Sequence, residues 1–241
     1  MIEKIEILMS FPSGSTFNGN LNLMIYKQFI KFMKRISCFN LSEKCIACKE
    51  RSFCRYYQIT GENFSGYPGI FIHQELFAKR RFNAGEQHSL VFYLIGTCKD
   101  YEDYIMLFFK NLNQRLFNSL FYLKDYRSRM LLKKEISVQC FEVSSPIESA
   151  SFSDCYNRMV SYYEEHYNLN ATTIEAESNL KEQYMIDWDS ISFQTKRVKV
   201  NGFAGEVIDS ISLDSRFIET GIGKFNYIGG GRIEIKNRDA C

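Results

Sequence analysis

Five of the 14 glycines in this chain, Gly221, Gly223, Gly229, Gly230 and Gly231, fall within eleven positions of the stretch TGIGKFNYIGGGRIEI. Without a side chain, glycine permits positive φ and close backbone approach, so such a run marks a sharp bend or a surface that meets a ligand main chain first. Two familiar glycine motifs are excluded at once. A dinucleotide fingerprint needs a strand before and a helix after it, and its third glycine would fall at Asn226, while the alternating Arg232–Ile235 that follows reads as a strand. No Gly-Lys-Ser or Gly-Lys-Thr is present there either, so this is not a nucleoside-triphosphate loop.

Length and composition fit a globular chain. At 241 residues, 45% hydrophobic and 15% aromatic, the sequence can bury one large core or two smaller ones. The opening MIEKIEILMSF interrupts its apolar residues with acids, so neither a signal peptide nor a membrane span is expected, and a cytoplasmic location follows. The net charge of +2 is unevenly spread: eight cations against two acids in 27–55, seven against one in 110–134, and nine acids against two cations in 148–189. Two basic segments that converge in space would suit a polyanion, and each could equally be a solvated face.

Four of the eight cysteines crowd into SCFNLSEKCIACKERSFC, as Cys38, Cys45, Cys48 and Cys54. The Cys45-x-x-Cys48 spacing wraps two thiolates around one tetrahedral ion, and in a cytoplasmic chain this reads as metal or redox chemistry before disulfides. A structural zinc is expected, because four thiolates suit it and so short a knuckle has little core of its own. No histidine lies in the cluster, so an open catalytic metal is not expected. Cys98, Cys140 and Cys155 read as small buried hydrophobes.

Periodicity orders the rest. The chain reads as strand (Ile2–Phe11), helix (Leu21–Ile36), the knuckle, apolar strands at Gly69–His73 and Ser89–Gly96, helix (Tyr101 to about Phe121) and strand (Leu131–Val143). After the SSP break at 144–146 the scheme recurs. A helix at Ser153–Tyr167 is followed by a hairpin of Ile191–Val200 and Ala204–Ser210, a short helix at Leu213–Glu219 and a closing strand at Arg232–Ile235. Strand, helix, strand, strand, helix, strand is the ferredoxin-like, or RRM-like, order. The expected fold is therefore α+β, with tandem ferredoxin-like domains over 1–143 and 144–241 and the knuckle (38–54) inserted in the first.

The segment GFAGEVIDSISLDSRFIETGIGKFNYIGGGRIEI, with its G-F-x-G hairpin and G-x-G-K-x-x-x-x-G-x-G loop before a last strand, resembles the CRISPR-associated repeat-processing endoribonucleases of the RAMP superfamily. The small-residue turn of NGNLNLMIYKQF, the four-cysteine knuckle and the Gly85-Glu86 strand resemble the branch of that family with an N-terminal knuckle. The resemblance implies a protein that holds CRISPR repeat RNA and cuts it without metal, the RNA 2′-hydroxyl attacking its own phosphate. It implies RNA contacts from the loop glycines Gly221, Gly223, Gly229, Gly230 and Gly231, whose amides would face outward to cradle phosphates. Lys224 and Arg232 would flank them with charge. Arg197 and Lys199 occupy the place of the family's stem-gripping hairpin, and alternating exposed strand positions would explain them equally well.

The family's first-helix histidine is missing. Lys27, Tyr26, Lys31 and Lys34 stand in that helix instead, so Lys27 is the candidate for the reacting phosphate, Tyr26 for positioning a hydroxyl and Lys31 for RNA binding, with His166 a candidate acid or base. His73 and His88, on apolar and alternating strands, read as solvent-facing or held by core hydrogen bonds. A second reading, favoured by the missing histidine, is a non-catalytic RAMP subunit that binds the repeat-derived end of a guide RNA alongside other CRISPR effector subunits.

Overall fold

The computed structural model describes residues 1–38, 45–61, 66–74, 79–187 and 198–236, with backbone alone at 46, 184–187 and 198–200. These form two compact units, one of Glu3–Met130 and one running onward from Leu131 with Met1–Ile2 added.

In the first unit, β1 (Ile2–Phe11) buries Ile5, Ile7 and Met9 while Lys4, Glu6 and Leu8 alternate to the half-buried face. Helix α1 (Leu21–Ser37) starts where the Asn20 side chain accepts the Leu23 amide at 3.3 Å, and it ends on Lys34 and Arg35, whose charge suits the carbonyl end of the helix dipole. Its buried stripe of Ile25, Tyr26, Phe29, Ile30 and Met33 lies on the strands. A five-residue helix, α2 (Arg55–Ile59), precedes β2 (Ile70–Ile72) and β3 (Glu86–Ile95). Helix α3 (Glu102–Asn111) then leads to β4 (Tyr122–Leu131). Phe29 stands edge-on to both Phe92 and Phe108, at 5.5 and 5.6 Å, which ties both long helices to the sheet. The sheet order is β2-β3-β1-β4.

The second unit repeats that order. It contains β5 (Glu135–Val138), β6 (Phe141–Ile147), α4 (Phe152–Tyr167), β7 (Asn179–Asp187), β8 (Val198–Val207), β9 (Ile211–Asp214), α5 (Ser215–Thr220) and β10 (Ile233–Ile235). Its four-stranded sheet runs β7-β8-β6-β10, and β9 pairs with β5 in a separate antiparallel ribbon. Counted within each unit, both main sheets have the order second, third, first, fourth. This is the tandem ferredoxin-like fold expected from the sequence. Asp214 caps α5 by accepting the Arg216 amide, and the Arg216 guanidinium returns to the same carboxylate at 2.5 Å with both side chains buried.

Several boundaries differ from the sequence reading. The helix expected to reach Phe121 stops at Asn111, because Asn113 and Gln114 take left-handed backbone and a small hairpin follows, pairing Arg115–Leu116 with Ser119–Leu120. The strand expected at Leu131–Val143 is divided among β4, β5 and β6, and the break expected at 144–146 lies inside β6. The units part instead between Met130 and Leu131. The hairpin partner of β8 is β7, upstream of the expected 191–200, of which 191–197 lies outside the described residues. Gly202 and Gly205 sit within one continuous strand. A Cβ at Gly202 would stand 2.5 Å from the Ile147 carbonyl, where the β6–β8 register shifts.

Candidate nucleic-acid interface

The glycine-rich loop occupies the connection from α5 to β10, and its glycines answer first to the protein's own packing. Gly231 adopts φ +68°, and a Cβ there would stand 1.7 Å from the Ile222 carbonyl oxygen. Gly223, at φ +83°, leaves room for the Glu148 carboxylate, which a Cβ would approach to 2.3 Å. Most of the loop amides are used internally. Ile222 N donates to Gly231 O at 2.9 Å, Gly230 N to Phe225 O at 2.9 Å, and Gly231 N to the Ser145 and Pro146 carbonyls at 3.2 Å. Lys224 N donates to Glu148 Oε2 at 3.0 Å and Arg232 N to Ser145 Oγ at 2.9 Å.

This corrects the expectation of outward-facing amides: Gly221, Gly223, Gly230 and Gly231 are buried, only Gly229 is half-buried, and the amides of Gly221, Gly229, Gly230 and Gly231 all bond within the protein. The Glu148 carboxylate beneath Lys224 also disfavours a phosphate on those amides. The positive charge of the loop is carried by side chains. Lys224 is half-buried, with its ammonium over the Phe225 ring at 5.5 Å, and Arg232 is half-buried on the strand side of the loop. Arg197 lies outside the described residues. Lys199 is on β8, where only the backbone is described.

On α1, Lys27 is half-buried and Lys31 exposed, one turn apart and therefore on one side of the helix. Tyr26 is not beside them. It is 2% exposed, and its hydroxyl donates to the Ile70 carbonyl at 2.7 Å. The tyrosine expected to position an RNA hydroxyl is thus a core residue holding α1 to β2, because position 26 belongs to the stripe of Phe29 and Met33.

The three histidines divide between the units. His88 Nε2 lies 2.7 Å from Asn22 Oδ1, and Asn22 Nδ2 donates to the His73 carbonyl at 2.8 Å. The amide orientation of Asn22 leaves Oδ1 as acceptor, so His88 carries its proton on Nε2. Burial, with Lys79 nearby, pushes His88 down to about 4, so it is a neutral imidazole at pH 7. Nothing in the sequence flagged Asn22 as its partner. His166, in the second unit, is exposed at the end of α4, stacked on Tyr162 at 3.9 Å with Nδ1 3.1 Å from the Tyr162 carbonyl. Lys27 and Lys31 therefore belong to the first unit and His166 to the second.

Cys38, Cys45, Cys48 and Cys54 are all free and half-buried, while 39–44 lies outside the described residues. Burial, and then the charges of Cys45, Cys38 and Cys54, push the Tyr56 hydroxyl up to about 12, so three of these sulfurs act on one phenol. Among the described residues no group of three or more His, Cys, Asp or Glu is drawn together as a metal site. The donor type suits zinc, but the four sulfurs are not closed into a tetrahedron.

The chain matches no protein-family model and no curated protein sequence. Solved structures do resemble it. A CRISPR-associated protein Cas6 aligns over 98% of this chain and 100% of its own, with a TM-score of 0.50 and 11% identity. A Cas6-related protein from Pyrococcus furiosus covers 99% and 100%, with a TM-score of 0.49 and 14% identity. A RAMP protein described as binding different RNA substrates covers 98% and 100%, with a TM-score of 0.48 and 14% identity. The first likeness gives the chain its fold, the Cas6-type pair of ferredoxin-like units. Among the described residues no helix is long and apolar enough to cross a membrane.

Proposed function

We propose that this chain, built on the Cas6-type fold, is a CRISPR RNA-processing endoribonuclease of the RAMP superfamily that binds the repeat of precursor CRISPR RNA and cleaves it. One observation carries the reading. The G-x-G-K-x-x-x-x-G-x-G motif, singled out by its residues, falls between the second helix and the closing strand of the second ferredoxin-like unit, in a fold that aligns with a Cas6 protein along 98% of the chain.

In the proposed reaction the 2′-hydroxyl loses its proton to a base and its oxygen attacks the adjacent phosphorus. The bond to the 5′-oxygen breaks, and that oxygen takes a proton, leaving a 2′,3′-cyclic phosphate and a free 5′-hydroxyl. Lys27 is assigned to the negative charge that builds on the phosphorane, where a cation lowers the barrier most. His166, exposed in the second unit, is given no part in the step at Lys27, and Lys31, Lys224 and Arg232 are assigned to the RNA backbone. Tyr26 is given no part. A zinc ion on Cys38, Cys45, Cys48 and Cys54 is proposed as a structural element supporting the segment between α1 and α2, outside the chemistry.

The second reading, a non-catalytic RNA-binding subunit of a CRISPR effector complex, is favoured by one finding: α1 holds no histidine or carboxylate and its Tyr26 hydroxyl is engaged in an internal hydrogen bond, which leaves that helix with cations and no conventional base. Gel-shift and cleavage assays with the cognate repeat RNA, using the native chain and Lys27→Ala, separate the two. The nuclease reading expects cleavage that Lys27→Ala slows at least about 100-fold while affinity changes little. Tight binding without any cleavage supports the subunit, and absence of binding defeats both.

A further inference from the structure

The first unit carries a second unusual loop in the same topological slot as the glycine-rich one, between its second long helix and its closing strand. Residues 112–121 contain no glycine, yet Asn113, Gln114, Phe117 and Asn118 have φ of 49°, 59°, 48° and 68°. Asparagine tolerates this region, whereas glutamine and phenylalanine adopt it at a cost, and such strain is retained where surrounding structure or function demands it. The loop borders a cavity of about 540 Å³ whose lining includes Lys110, Asn113, Gln114, Phe121 and Tyr122.

The lining has three chemistries in one place. The exposed Tyr122 supplies aromatic surface, and the buried Phe121 forms the floor behind it. Asn113 and Gln114, both exposed, supply carboxamides that donate and accept in pairs. Lys110 is exposed at the wall, and the Lys124 ammonium sits over the Tyr122 ring at 5.9 Å. No acid is among the lining residues, and the next carboxylate along β4, Asp125, is paired with Arg127 at 2.7 Å. Aromatic surface for a base face, carboxamides for a base edge and cations for phosphate are what an unpaired nucleotide requires, and the volume lies within the range of small-ligand pockets.

We infer that this cavity is a subsite for one unpaired nucleotide of a single-stranded RNA segment. The inference rests on the proposed RNA-processing function for the identity of the RNA, and on the cavity alone for the chemistry. Gly at 113 and 114 keeps the left-handed backbone while removing both carboxamides, so Asn113→Gly/Gln114→Gly is a variant that folds. The test measures affinity of the full chain and of this variant for the repeat RNA carrying an unpaired extension, and for a ten-nucleotide single-stranded RNA. Photocrosslinking with 4-thiouridine in the unpaired part accompanies both. The expected result is an affinity loss of about tenfold for both RNAs and a wild-type crosslink within 109–123 that the variant loses.

If the wild type binds the repeat and the variant binds it equally well, with no crosslink in that segment, the subsite is overturned and the processing function stands. If the repeat is not recognised but the short RNA binds and the variant loses it, the processing function falls and the subsite stands. Unchanged RNA affinity together with loss of a wild-type dimer in sedimentation assigns the cavity to a second copy of the chain and overturns the inference.

Discussion

Acid should destabilise the first unit through the His88 imidazole. His88 is held neutral by burial and by Lys79, with a folded value of about 4 against 6.5 in the unfolded chain. Above pH 6.5 both states carry a neutral ring and the full stability is present. As pH falls below 6.5 the unfolded chain takes up a proton that the folded one refuses, and stability is lost until the folded ring protonates near pH 4. At about 1.4 kcal/mol for each pH unit, the gap amounts to roughly 3 kcal/mol at the acid limit and about 2 kcal/mol at pH 5. His88→Gln keeps an N–H donor for Asn22 Oδ1 and removes the titration. Hydrogen exchange of the paired amides of β2 and β3 at pH 7 and pH 5 reads the difference, because it reports opening of this unit by itself. The native chain should lose about 2 kcal/mol more than His88→Gln between the two pH values, both corrected for intrinsic exchange. Equal losses would mean that His88 titrates normally and that the Asn22 contact does not bury it.

Three further outcomes follow from the geometry. Gly231→Ala places a methyl group against the Ile222 carbonyl in a left-handed backbone, and the second unit should lose at least about 3 kcal/mol in urea unfolding; a loss under 1 kcal/mol contradicts the packing of the loop. Lys224→Ala should lower the slope of log affinity against log salt for the repeat RNA by about one ion, with little change in fold; an unchanged slope removes Lys224 from the interface. Elemental analysis of the purified chain should find one zinc per molecule, released when Cys45 and Cys48 are both replaced by serine, and a folded metal-free chain refutes the knuckle.

The architecture was legible wherever period and punctuation agreed. Strand β1 alternates in its sequence, α1 carries a stripe of apolar residues from Leu21 to Met33, and the order of elements implied both ferredoxin-like units. Strand β7 was missed because NLKEQYMID has too little apolar alternation to announce itself, and its pairing with β8 supplies what local preference does not. The end of α3 was missed because apolar residues continue past Asn111, and only the left-handed Asn113 and Gln114 reveal the turn. At the candidate site, the glycine run was legible as a bend. Its inward-facing amides were not, since the partners Ser145, Pro146 and Glu148 lie over 70 positions earlier in the chain. Tyr26 illustrates the same limit: its place on the helix stripe was visible, but the carbonyl that takes its hydroxyl belongs to β2, 44 residues away.

The central claim is that this fold cuts its RNA with the RNA's own 2′-hydroxyl. Its most direct test is a single-turnover assay in the presence of a chelator, comparing the repeat RNA with one carrying a single 2′-deoxy nucleotide at the scissile position. The account predicts that both RNAs bind alike, that the first is cut to a cyclic phosphate and a 5′-hydroxyl, and that the second stays intact. Cleavage of both, or binding of both with no product from either, contradicts it.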